Sequence, residues 1–344
     1  MRARGISYDT GLRSGTGLSR EAFDPELVRR ELRIIRDDLH CTAVRIIGGD
    51  PERLETAATA AADLGLEVWF SPYPLELAPE EMLALFDDCA RRAERVRRRG
   101  AEVVFVTGAE LTVMSPGFVP GDTVDDRVAH LLGDPARARE LIPGIGPRIN
   151  AFLAEAAATV RKRFAGKVTY ASIHFEQVDW TPFDIAGFDL YRSAEIADGF
   201  GEAVRAAVAA QDKPVAITEF GTATYRGAAD RGARVLEVVE ADPDTGAPLR
   251  LDARYERDEA GQAAYLRELI EDFDAAGVDA AFVFLFALHS HPHRPGGDPR
   301  ADLDLASLGI VTVLDGGAGR SYPGMPWEPK AAFTELARVY GAAR

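Results

Sequence analysis

Val103-Val104-Phe105-Val106-Thr107-Gly108-Ala109-Glu110 is an apolar, β-branched run that stops on an acid, and Pro214-Val215-Ala216-Ile217-Thr218-Glu219-Phe220-Gly221 repeats that design. A run apolar at successive positions suits a strand buried on both faces, as in a parallel sheet. Such a strand gains nothing structurally by ending on a carboxylate. In a parallel α/β sheet the C-terminal strand ends carry the chemistry, so two strands closing this way point to an acid pair at a pocket.

Working outward, eight short β-branched or aromatic runs recur: Arg4 to Asp9, Ala43 to Ile47, Glu67 to Tyr73, Glu102 to Ala109, Val168 to Phe175, Phe188 to Tyr191, Pro214 to Phe220 and Ala280 to Leu288. Stretches rich in Ala, Leu, Arg and Glu separate most of them, which is the pattern of βα units. Helices are expected over Pro25 to Leu39, Pro51 to Leu64, Pro79 to Arg99 and Arg148 to Phe164, with Gly65, Gly100, Gly166 and Gly277 just past helix ends. The link from Phe175 to Phe188 is too short for a full helix. Eight strands closing on themselves give an α/β fold, a (β/α)8 TIM barrel spanning residues 1–344 as one domain. Long loops are expected after strands four and seven, Leu111 to Pro147 and Gly221 to about Arg257. Leaving C-terminal strand ends, they should shape a pocket, with Phe118, Tyr225, Arg226 and Tyr255 the side chains suited to meet a ligand.

Forty Lys and Arg against fifty-five Asp and Glu give a net charge of -15, which argues against nucleic acid or an anionic membrane as partner. No apolar run reaches membrane-spanning length and no signal-like apolar segment follows Met1, so a cytoplasmic protein is expected. Cys41 and Cys89 lack metal or disulfide spacing. The arginines between Arg91 and Arg99 interleave with Cys89, Ala93 and Val96 at helical spacing and read as a solvated helix face. Gly48-Gly49-Asp50 and Gly144-Ile145-Gly146-Pro147 lack the features of a phosphate loop, and no G-x-S-x-G elbow occurs. No cofactor is implied.

Around the acid pair, Tyr73 and Trp180 lie at or beyond strand ends where a ring can stack on a sugar or pack in the core, whereas Trp69, early in its strand, reads as core. Glu176 follows His174 by two residues and is a reserve acid, or else a loop acid paired with an arginine. In His289-Ser290-His291-Pro292-His293, alternate residues of an extended segment point the same way. Metal-dependent barrels usually carry such a pair on strand one, where this chain has Ser7-Tyr8-Asp9, so no metal is expected. His289 is read as a donor reaching the pocket, with His291 and His293 solvated.

Thr218-Glu219-Phe220-Gly221 resembles the strand-seven nucleophile motif of the retaining glycoside hydrolases whose acid/base is on strand four and nucleophile on strand seven. Asp9 on strand one, Val44-Arg45 on strand two, His174 on strand five, Tyr191 on strand six, Leu308-Gly309-Ile310 and Trp327-Glu328-Pro329-Lys330 are similar in kind and order. The chain also resembles actinobacterial proteins described only as abortive-infection or hypothetical proteins. The resemblance implies Glu110 as general acid/base, Glu219 as nucleophile, Tyr191 as hydrogen-bond partner of the nucleophile and Arg45 as the cation that keeps it ionised. Asp9, Arg45, Tyr73, His174, Glu176, Trp180, Tyr191, Tyr225 and His289 are the expected substrate-binding set. Two positions depart from the pattern: Ala109 stands where the clan has Asn, and Phe284-Leu285-Phe286-Ala287-Leu288-His289 lacks the clan's strand-eight Trp.

The expected function is therefore a retaining O-glycosidase or transglycosidase acting on a small glycoside or glycoconjugate. Its alternatives are the same barrel turned to a non-sugar substrate in secondary metabolism, or a catalytically silent binding or defence protein. Oligomeric state is not legible.

Overall fold

A computed structural model describes residues 1–14, 17–133, 135–242 and 244–342. Eight parallel strands form its sheet: β1 (Ala3–Asp9), β2 (Ala43–Gly48), β3 (Glu67–Pro72), β4 (Val103–Ala109), β5 (Lys167–Ala171), β6 (Ala186–Asp189), β7 (Val215–Phe220) and β8 (Ala280–Val283). Their order around the sheet runs from β5 through β4, β3, β2, β1, β8 and β7 to β6. The two ends meet where Ser172, just past β5, bridges Phe188, so the sheet is nearly closed into the expected (β/α)8 barrel.

Local chemistry explains the surrounding helices. Asp24 and Asp50 accept backbone N–H groups at the starts of Pro25–Asp37 and Pro51–Asp63, and in both a proline occupies the first turn, where its missing N–H costs nothing. Gly277 closes Glu259–Ala276 at φ +79°, a left-handed cap suited to glycine. The basic stretch of Pro79–Arg97 is a surface face, where Arg92 and Arg95 pair with Glu55, and Arg97 and Arg98 with Glu94.

Side chains rather than a pore fill the barrel. Ile47, Trp69, Val104, Val106, Ala216 and Phe282 pack together inside it, and the Trp69 and Phe282 rings lie 4.7 Å apart. Glycine makes room at two points: a Cβ on Gly5 would lie 2.3 Å from the Phe282 ring, and one on Gly221 would lie 2.3 Å from the Phe284 carbonyl oxygen. The main apolar layer lies between strands and helices.

Three strand boundaries differ from expectation. β5 stops at Ala171, and His174–Glu176 is a 3-10 turn; β6 is Ala186–Asp189 rather than Phe188 to Tyr191; β8 stops at Val283. The connection after β4 is not a plain loop, for it contains the helical turn Leu111–Met114, the helix Val124–Leu132 and the start of the helix Pro135–Arg161. That last helix runs through Pro143 and Pro147, within the stretch expected to be a long loop. Burial of Ile145 and Ile149 favours continuing the helix despite the lost N–H donors.

Candidate active site

Glu110 follows directly on β4. Gly108 at φ +84° and Glu110 itself at φ +48° turn the chain out of the strand, and the left-handed conformation is an uncommon one for a side-chain-bearing residue. Partners hold the turn from behind: Leu111 N–H donates to the Tyr170 hydroxyl at 2.8 Å, and Glu110 N–H donates to the Ala171 carbonyl at 2.9 Å. Glu219 lies within β7, 4% exposed, and projects toward the same place from the opposite side.

The two acids have different company. Glu219 Oε1 accepts from Arg45 Nη1 at 2.9 Å and from the Tyr73 hydroxyl, and Oε2 accepts from the Tyr191 hydroxyl at 3.0 Å. Arg45 is fully buried, with Nε donating to Ser71 Oγ and Nη1 also to the Thr218 carbonyl, and its guanidinium lies 5.6 Å from the centre of the Tyr73 ring. Glu219 is thus engaged by one fixed cation and two hydroxyl donors. Glu110 has no such cation. Burial, then the neighbouring Asp189, Glu219 and Glu176, push its carboxyl well above the usual range, with Arg45 only partly opposing them.

Asp189, absent from the expected set, is the third member of this group. One carboxylate oxygen from each of Glu110, Asp189 and Glu219 lies within 4.8 Å of the others. Asp189 Oδ1 accepts from Thr218 Oγ1 at 2.5 Å, and burial followed by Glu219 raises its carboxyl well above its ordinary range. Its sequence signal is the one that marked Glu110 and Glu219, an apolar strand closing on an acid. Among the described residues these three are the acids that converge closely enough to hold a cation, but Arg45, 2.9 Å from Glu219, opposes a resident metal ion.

The remaining expected residues fall into two groups. Arg45, Tyr73 and Tyr191 join the acid pair, as described. Glu176 is buried behind the turn after Glu110 and pairs with no arginine: it accepts from Thr112 Oγ1 and Tyr170 Oη at 2.8 Å, Ser172 Oγ at 2.9 Å, and the Thr112 and Ile173 N–H groups. With both oxygens occupied it braces the turn that carries Glu110.

The others are engaged elsewhere. Asp9 spends its oxygens on the Gly11 N–H at 2.7 Å and Ser19 Oγ at 2.6 Å, closing its own loop. His174 is exposed on the turn after β5. Trp180 packs outside the barrel, edge to face against Phe183 and Phe188 at 5.8 and 5.3 Å, because its strand-end position lies under the helix layer. Tyr225 is buried in its loop, its ring tilted against that of Tyr255 with centroids 4.8 Å apart and its hydroxyl donating to the Val235 carbonyl. Arg226 pairs with Glu256, and Phe118 packs on Phe152. The charges nearest His289 are Arg20 and Glu31 rather than the acids, and burial lowers it to about 4. His291 and His293 are not free in solvent either: His291 is buried beside Ser290, and His293 Nδ1 lies 2.9 Å from Asp302.

No family model matches the chain, and no curated relative does. Solved structures similar to it include a GH113 β-1,4-mannanase at 16% identity, covering 99% of both chains with a TM-score of 0.61. The GH113 β-mannanase AaManA from Alicyclobacillus acidocaldarius, in complex with ManMIm, gives 16% identity and 0.58 over 99% of this chain and 98% of that one. A Ruminococcus gnavus β-glucuronidase gives 14% and 0.56 over 99% of this chain and 49% of its own. At these identities the likeness is one of fold: the chain resembles the glycoside hydrolases built on a (β/α)8 barrel.

Proposed function

We propose that the chain is a retaining O-glycosidase or transglycosidase acting on a small glycoside or glycoconjugate. The observation that carries this reading is the unequal pair at the ends of β4 and β7. Oxygens of Glu110 and Glu219 approach within 4.8 Å, one acid held by Arg45 and two tyrosines, the other biased to keep its proton. Retaining enzymes need a separation of about 5–5.5 Å between carboxyl groups, whereas an inverting pair needs about 6.5–9.5 Å to admit a water.

In this scheme Glu219 attacks the anomeric carbon while Glu110 protonates the leaving oxygen, and the C–O bond to the aglycone breaks. Glu110, now ionised, takes a proton from water or an acceptor hydroxyl, which attacks the glycosyl-Glu219 ester and releases sugar with retained configuration. Tyr73, Tyr191 and Arg45 aim the nucleophile. A mannanase and a glucuronidase among the fold neighbours agree with sugar chemistry in general and do not single out a sugar.

A panel of aryl glycosides tests the assignment. Glu219→Gln is expected to abolish turnover of whichever glycoside the wild type cleaves. Glu110→Ala should lose roughly 10²–10⁴-fold on poor leaving groups and much less on activated ones, which need no proton. Equal loss on both classes of leaving group would show that Glu110 is not the acid.

A further inference from the structure

The acid/base of the proposed reaction sits where the backbone is strained. Glu110 is left-handed, at φ +48° and ψ +37°, and a residue with a side chain keeps that geometry only where its surroundings impose it. Its carboxyl leaves the chain at that same residue, so whatever imposes the turn also sets where the acid points.

Two fully buried side chains, Tyr170 and Glu176, impose it. Leu111 N–H, the first after Glu110, donates to Tyr170 Oη at 2.8 Å, and that hydroxyl donates in turn to Glu176 Oε1 at 2.8 Å. Thr112, the next residue, gives Oε1 its hydroxyl at 2.8 Å and its N–H at 3.3 Å. Oε2 faces the chain after β5, accepting from Ser172 Oγ at 2.9 Å and from the Ile173 N–H at 3.2 Å. Glu176 thereby ties the turn after β4 to the end of β5. Each of its oxygens meets a backbone N–H, which can only donate, so a carboxyl fits here and an amide, with a donor on one arm, does not. The 3-10 turn that carries Glu176 is pinned in its turn from the helix Pro135–Arg161: Asn150 Nδ2 donates to the Gln177 carbonyl at 3.0 Å, and its Oδ1 accepts the Asp179 N–H at 2.7 Å.

We propose that Glu176, together with Tyr170, is a positioning residue for the acid/base: it fixes the left-handed turn at Glu110 and so decides how well the leaving group receives its proton. The role of Glu110 rests on the glycosidase reading; the hold of Glu176 on the turn does not.

Glu176→Gln and Tyr170→Phe test this, each removing part of the latch at nearly constant volume. The far end of the turn is held separately, by Arg127 Nε on the Val113 carbonyl at 2.6 Å and by the Glu76 N–H on the Met114 carbonyl at 2.9 Å, so both variants should fold. On glycosides of one sugar, kcat/KM for a phenyl leaving group, which needs the proton, should fall roughly tenfold or more in each variant. For a dinitrophenyl leaving group, which does not need it, kcat/KM should stay within about threefold of the wild type. A merely structural role would lower both alike by thinning the folded fraction. Equal loss on the two leaving groups, or no loss on either, overturns the proposal. Amide exchange gives a readout free of turnover. Val113 and Met114 N–H both donate to the Glu110 carbonyl at 2.9 Å, bonds that neither variant removes directly but that need the turn. Both should exchange roughly tenfold faster or more in the variants while Phe220 in β7 keeps its wild-type rate. Unchanged exchange at Val113 and Met114 overturns the proposal as well. A wild type that cleaves no aryl glycoside sinks the glycosidase reading, and exchange alone then decides the hold on the turn. Turnover that shows no leaving-group selectivity in the variants sinks this inference and leaves that reading intact.

Discussion

At the scale of single residues, the acids at the mouth of the barrel cost stability. Glu110 and Asp189 are both raised well above their ordinary range, chiefly by burial and then by like charge. The folded state therefore holds protons that the unfolded chain has already released. That stabilisation is complete below the unfolded carboxyl values near 4 and is lost as pH rises through the folded ones. Glu110→Gln removes the titrating group, so at neutral pH the variant should melt higher than the wild type. Its advantage should grow as pH is raised from about 4, and thermal melts across pH check it. A variant uniformly less stable would mean that the ionised carboxyl makes favourable contacts. Asp189 escaped sequence reading for a definite reason. Placing strand six at Phe188 to Tyr191 puts the acid inside the strand, whereas β6 is Ala186–Asp189 and ends on it, as β4 leads into Glu110. Arg45 and Tyr191 entered the expected set through the resemblance to retaining glycoside hydrolases, and Tyr73 through its place at the end of strand three.

At the scale of elements, loops proved less legible than strands, because a loop side chain's direction depends on packing that composition does not encode. The connection after β7 forms its own apolar cluster, in which Val235, Val238, Leu251 and Tyr225 cover Leu285, Leu288, Leu303 and Leu308 from the connection after β8. Tyr191 and Phe284 lie partly buried at its border, which joins the cluster to the partner of Glu219. Tyr225 and Tyr255 are therefore spent on the loop's own core. Leu251 is fully buried there, and Leu251→Ala should cost about 2–5 kcal/mol of local stability through lost burial and a cavity. Because the cluster is separate from the barrel's cores, amide exchange should quicken across 223–251 and 285–308 while β1 to β5 keep their protection. Uniform loss of protection would mean that loops and barrel unfold as one unit.

For the whole molecule, two populations of groups shifted by burial pull stability against pH in opposite directions. The acids of the site favour low pH, as argued above. His289 and His291, on the connection after β8, do the opposite: burial lowers both to about 4, so between there and their ordinary value near 6.5 the unfolded chain binds protons that the folded one refuses. Their stabilisation is present above about 6.5 and is lost as pH falls through 4. For His291, which is 6% exposed, it amounts to at most roughly 3 kcal/mol, taking about 1.4 kcal/mol per pH unit. His291 sits beside the buried Lys330–Asp304 pair at 2.9 Å; Lys330 opposes its protonation and Asp304 favours it, so burial decides the direction. The two populations together predict a maximum of stability near the slightly acidic side of neutrality, falling toward both acid and base. Chemical denaturation from pH 4 to 8 should show His291→Gln with a shallower acid limb and an unchanged alkaline limb, and Glu110→Gln with the reverse. If His291→Gln leaves the acid slope as it was, His291 carries its proton in the folded state, and the acid sensitivity must come from elsewhere in the chain.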